Sequence, residues 1–177
     1  FFGFSVSLSW DEAIVAIVAL CVKGKNVHCD NINNSGHVRV YQSDINSPAS
    51  TIEDNNFGPQ GWRRVGVDID GEAAEDYSGW SVSLSADGTI VAIGAPYNDT
   101  QNGINSGHVR VYKYDSNSPA STIEDSNFGP QGWCRLGADI DGEEAEDDSG
   151  SSVSLSADGT IVAIGAKYNK THLLYTS

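Results

Sequence analysis

Residues 36–98 lie over residues 107–169 at an offset of 71, with identity at about four positions in five. No other feature narrows the fold so far, because a recurring unit of this size buries its apolar faces against copies of itself. The recurring text runs GHVRVY (Gly36 to Tyr41, Gly107 to Tyr112), NSPASTIED, NFGPQGW, a DIDGE segment and SVSLSADGTIVAIGA. An altered copy opens the chain as FGFSVSLSWDEAIVAI, with Trp10, Glu12 and Ala13 replacing the alanine, glycine and threonine of the later turns. The chain therefore reads as one domain, 1–177, of about two and a half units, bounded near 1–35, 36–106 and 107–177.

Within a unit, Ser81 to Ser85 alternates apolar and polar residues, Ala86 to Gly88 supplies a turn, and Thr89 to Ala95 is rich in β-branched and small apolar residues. After the Asn- and Gly-bearing loop Pro96 to Ser106, His108 to Tyr112 alternates again, and Trp133 to Leu136 gives a short fourth strand. Apolar residues nowhere recur at helical spacing. The expected class is all-β: a partial β-propeller of four-stranded antiparallel blades. Closed propellers use about four to eight blades. An arc of this size leaves apolar faces and strand edges for further blades of a longer chain, or for self-association, to cover. The chain starts at Phe1 and has no methionine, so it is expected to be an internal piece of a longer protein.

Composition then restricts partners. With 39% apolar residues the chain can form a packed core, and 24 acidic against 10 basic residues give a net charge of -14. Phosphate backbones and anionic surfaces are repelled, so nucleic acid is not an expected partner. The longest apolar run, Ala13 to Val22, is about half a bilayer span, and no membrane insertion is expected. Cys21, Cys29 and Cys134 do not recur in register; Cys134 stands where the other copy has Arg63, and a Cys21 to Cys29 bridge is left open.

The order Phe2-Gly3 before a strand, a turn, a strand ending Gly94-Ala95-Pro96 and an alternating GHVRVY strand resembles the FG-GAP repeat of integrin α-like propellers. The bacterial and algal variants are the most similar. That resemblance implies the propeller fold and an extracellular or cell-surface setting. It also implies a calcium loop between the first two strands, and there this sequence departs. Ser85 to Thr89 and Ser156 to Thr160 hold one carboxylate each, whereas a hard cation needs several converging oxygens. Asp87-Gly88 reads as a hairpin turn instead. The FG pair becomes Ser78-Gly79 and Ser149-Gly150, keeping the glycine that close packing demands, and the last GAP becomes Gly165-Ala166-Lys167.

A second acidic cluster is the candidate metal site: Asp68, Asp70 and Asp76, with Glu72 and Glu75, recur as Asp139, Asp141 and Asp147, with Glu143 and Glu146. Gly71 and Gly142 permit a sharp turn, so a weak calcium site is one reading and a solvated connection between blades the other. No cofactor is required; calcium is the one candidate. His37 and His108 are expected to pack or bond locally, Arg39 and Arg110 to pair with acidic loops, and Trp62, Trp80 and Trp133 to fill gaps between blades or line a sugar surface. Asn33, Asn98 and Asn169 begin glycan-acceptor triplets. No GxSxG, HExxH, GxGxxG or P-loop motif is present. The expected function is a non-catalytic extracellular or cell-surface module for protein or glycan binding or adhesion, through loops such as Pro96 to Ser106 and Ser116 to Gly132. The alternatives are an accessory propeller domain of a secreted enzyme and a structural surface spacer.

Overall fold

The computed structural model describes residues 2–11, 13–19, 34–46, 60–118 and 131–170. The strands are β1 (Phe2–Leu8), β2 (Ile14–Ala19), β3 (His37–Ser43), β4 (Trp62–Arg64), β5 (Ile69–Asp70), β6 (Ser81–Leu84), β7 (Ile90–Ala95), β8 (His108–Tyr114), β9 (Trp133–Arg135), β10 (Ile140–Asp141), β11 (Ser149–Leu155) and β12 (Val162–Ala166). The described residues contain no helix, and all pairings between strands are antiparallel. Three sheets follow one another: β1-β2-β3-β4 with β5 also on β3, then β6-β7-β8 with both β9 and β10 on β8, then β11-β12. The fold is thus all-β, an arc of propeller blades, and no closed barrel forms.

Two details depart from the expected layout. The outer strand of each full blade is interrupted: Val65 to Asp68 separates β4 from β5, so DID of the acidic segment returns to the sheet and pairs Asp70 with His37. The sheets also divide the repeat at another phase. Residues 36–106 give β3, β4 and β5 to the first sheet and β6 and β7 to the second.

Alternation along each inner strand serves two neighbours at once, since successive side chains point to opposite faces. Val82 and Leu84 of β6 are buried in one cluster with Ala16, Val18, Val38 and Val40 of the first sheet. Ala92, Val109 and Val111 of the second sheet hold the next cluster, against Val153 and Leu155. Burying a Val or Leu side chain this way contributes about 1.5–3 kcal/mol each. On the polar face, the Leu84 N–H donates to Ser7 Oγ (2.9 Å) and the Leu155 N–H to Ser83 Oγ (3.0 Å), so each inner strand is bonded to the one before it. The turns do the same: Trp10 N–H donates to the Ala86 carbonyl and Ala86 N–H to the Ala157 carbonyl, both at 2.8 Å.

Each of these turns is closed by its own aspartate. Asp87 Oδ1 accepts from Ser85 Oγ (2.7 Å), Thr89 N (3.0 Å) and Thr89 Oγ1 (2.9 Å), while Ser85 Oγ accepts from Ile90 N. Asp158 repeats the pattern, and the hydrogen bonds from Ser156 and Thr160 hold its pKa down at about 2. The altered copy keeps it too: Asp11 accepts from Ser9 Oγ and Ala13 N despite the changed loop.

Close approach is what the glycines supply. Gly79 has φ +88°, and a Cβ there would lie 2.7 Å from Val18 Cγ1 and 3.1 Å from Val38 Cγ2. Gly66, in the break between β4 and β5, has φ +67°, and a Cβ there would run into the indole of Trp133. Trp133 is fully buried between the sheets, edge-on to Tyr114 at 5.5 Å, whereas its counterpart Trp62 is half-buried. We expect Gly79→Ala to lower unfolding free energy by about 2–3 kcal/mol, combining left-handed strain with displacement of Val18. Urea denaturation measures this, and an unchanged midpoint contradicts the packing described.

Candidate functional site

The exit segment of each full sheet, 71–78 and 142–149, carries most of the acidic residues and folds back over the loop that leads into the third strand of its own sheet. In the first unit the Tyr77 and Ser78 N–H groups donate to the carbonyls of Asn34 (3.0 Å) and Ser35 (2.8 Å), and Asn34 Nδ2 donates to Glu75 (3.1 Å) and Tyr77 Oη (3.2 Å). In the second, Glu146, Asp148 and Ser149 donate to the carbonyls of Ile104 (2.9 Å), Asn105 (3.1 Å) and Ser106 (3.0 Å), and Asn102 Nδ2 donates to the Gly142 carbonyl at 2.7 Å. Among the described residues, every non-glycine with positive φ lies in these two clasps: Asn34, Glu75 and Tyr77 in one, Asn105, Glu146 and Asp148 in the other. Left-handed backbone at such residues costs about 1 kcal/mol or more each and persists where the surroundings over-determine it.

The structure sorts the six candidate metal residues into three environments. Asp68 takes a bidentate pair from Arg39 (2.8 and 2.9 Å) and a third contact from Arg64; Asp139 takes the same from Arg110 (2.6 and 2.8 Å) and Arg135. Burial pushes both carboxyl pKa values up, but the guanidinium groups outweigh it and leave both below the usual range. Arg110 also reaches Glu72 at 2.6 Å, an ion pair that crosses from the second sheet to the exit of the first. The pairing expected for Arg39 and Arg110 is thus present.

Asp76 and Asp147 turn inward and tie the clasp to the next blade. Asp76 is 5% exposed and accepts from Ala73 N (3.0 Å) and Asn98 Nδ2 (2.8 Å). Asn98 Oδ1 is in turn 2.9 Å from His108 Nδ1. Asp147 accepts from Glu144 N (2.9 Å) and Asn169 Nδ2 (3.0 Å), the copy of the same arrangement. Burial, and then Arg110, lowers the His108 pKa, so the ring is neutral at pH 7 and its tautomer follows Asn98.

Asp70 and Asp141 form the third environment, paired across the ladder from His37 and His108. Burial and the Asp68 charge raise the Asp70 pKa. His108, Asp139 and Asp141 can bring one ligand atom each within 4.8 Å of one another. A cation placed there would compete with Arg110 and Arg135 for Asp139. The Ser85 to Thr89 turn does not fit the calcium loop implied by the resemblance, since its single carboxylate is filled by Ser85 and Thr89.

Trp80 is half-buried in a ring cluster with Phe4 (4.7 Å between centroids), Tyr77 (6.1 Å) and Tyr97 (5.6 Å), beside the first clasp. The second copy has Ser151, Asp148 and Tyr168 at the positions of Trp80, Tyr77 and Tyr97, so the two units differ most here. Cys134 is a free, half-buried thiol. Cys21, Cys29, Asn33 and most of the Ser116 to Gly132 loop lie outside the described residues.

The Asp76–Asn98–His108 chain is the arrangement that sequence reasoning missed. Its signal was present, since Asn98 and Asn169 recur as faithfully as the histidines, but an asparagine in a loop has many local uses. The profile of the FG-GAP repeat matches residues 67–112, running from the break in the first sheet to the third strand of the second. No curated protein and no solved structure matches the chain.

We expect Asp139→Asn to cost about 3 kcal/mol, because Arg110 and Arg135 lose their common counter-charge. Glu72→Gln, at an exposed carboxylate, should cost under about 1 kcal/mol. Chemical denaturation of the two variants checks the ranking, and equal losses contradict it. Millimolar calcium should leave the wild-type unfolding midpoint in place. A raised midpoint accompanied by a heat of binding in calorimetry assigns the acidic segments to metal.

Proposed function

We propose that this protein is a non-catalytic, extracellular or cell-surface propeller module that binds a protein or glycan partner through its clasp face. The FG-GAP repeat at 67–112 supports a propeller-type module. The observation that carries the binding reading is the concentration of strained, non-glycine backbone in two equivalent clasps that hold acidic side chains at the surface. Strain of this kind clusters where a surface is shaped for use. Glu75 and Glu146 are exposed on the clasps, and the Phe4, Tyr77, Trp80 and Tyr97 rings beside the first provide a stacking surface suited to a sugar or an aromatic-rich loop. His108 is buried and engaged by Asn98, which suits a structural role better than acid–base work in an open cleft. The net charge of -14 favours partners with basic or uncharged, hydroxyl-rich surfaces.

The test is binding of the immobilised protein to a glycan array and to a panel of surface proteins, repeated with Tyr97→Ala and Glu75→Gln. A partner whose binding falls at least tenfold in both variants, with their thermal melts unchanged, supports the clasp face. Absence of any partner, or binding indifferent to both changes, overturns the reading.

A further inference from the structure

The two ends of the arc carry opposite halves of the same blade contact. At the first sheet Val6 and Leu8 are 60% and 56% exposed, whereas their counterparts Val82 and Leu84 are each 7% exposed beneath the blade before them. At the third sheet Ile161 is 68% exposed and Ala163 is exposed, whereas their counterparts are half-buried Ile90 and fully buried Ala92, which take part in seating Val153 and Leu155. One end therefore presents the inserting side chains and the other the seat that receives them.

The polar groups divide the same way. Inside the chain, a leucine N–H of one blade donates to a serine hydroxyl of the blade before it, and a turn N–H donates to the turn carbonyl of the blade after it. The halves left at the ends are the Leu8 N–H and Trp10 carbonyl on the first sheet, and the Ser154 hydroxyl and Ala157 N–H on the third; among the described residues no blade stands opposite either set. Each donor left at one end has its acceptor at the other.

We infer that a second copy of this chain docks head to tail. Val6 and Leu8 of one copy seat on Ile161 and Ala163 of the next, Leu8 N–H donates to Ser154 Oγ, and Ala157 N–H donates to the Trp10 carbonyl. The contact continues the interface already built twice within the chain, and it is heterologous: two different faces meet, closing into a ring if the rotation permits. The third sheet is described as two strands, so the contact covers the inner half of a blade and association is concentration-dependent. This surface is separate from the clasp face.

Sedimentation velocity of the whole chain over a wide concentration range should show conversion from monomer to dimer. Leu8→Asp, which spoils the inserting face, and Ala163→Asp, which spoils the seat, should each remain monomeric with circular dichroism and melting like wild type. An equimolar mixture of the two should dimerise again, because one intact inserting face then meets one intact seat. Should either charged variant fold poorly, Ser154→Ala, which removes only the acceptor, should weaken dimerisation at least threefold. Wild type that stays monomeric throughout, a single variant that still associates, or a mixture that stays monomeric overturns the proposal. The last outcome with a dimeric wild type points instead to an isologous contact.

Discussion

Neighbouring blades share a core only because their inner strands come close enough for a serine hydroxyl on one to take a backbone N–H from the next. The bonds from Leu84 to Ser7 and from Leu155 to Ser83 set that distance. Once they are made, Val82 and Leu84 sit at van der Waals range of the first sheet, and the residues facing them must be small or recessed. Gly79 against Val18 and Gly150 against Gly94 are the consequence: each place where backbone meets its neighbour carries glycine on at least one side. The Trp133 indole, too large for the inner seam, fills the wider gap at the outer strands and rests on Gly66.

Much of the architecture was legible because period-two alternation and turn chemistry are local properties of the chain. SVSL, IVAIGA and HVRVY form the strands their patterns imply, and Asp87-Gly88 forms the hairpin turn. What was not legible depends on distance in sequence. Ile69-Asp70 is too short to announce itself as a strand, and only its register with His37 and Val38 makes it one. The phase of the sheets was hidden for a different reason: a tandem repeat has the same text wherever it is cut, and strand pairing alone decides which strands share a blade.

The acidic segments show why composition misleads about sites. Five carboxylates within nine residues suggest a cation, yet the folded chain spends them on different tasks. Asp68 neutralises two arginines that would otherwise be stranded at the blade's outer strands, and Asp76 caps its own loop while holding Asn98 of the next sheet. Glu72 reaches across to Arg110, leaving Glu75 on the surface. The recurrence of all five in the second unit therefore preserves a mechanical connection, and the surface charge is its by-product.

The seam bonds have one more consequence, for hydrogen exchange. β6 lies at the open edge of its sheet, where a backbone amide would ordinarily trade its proton with water as soon as the edge is wetted. The Leu84 amide is withdrawn from that exchange by a residue 77 positions away in the preceding blade, and the Leu155 amide by one 72 positions away. Their protection reports on the seating of one blade against another and not on the sheet that contains them. In this chain two edge amides, read out separately, act as gauges of whether each junction is closed.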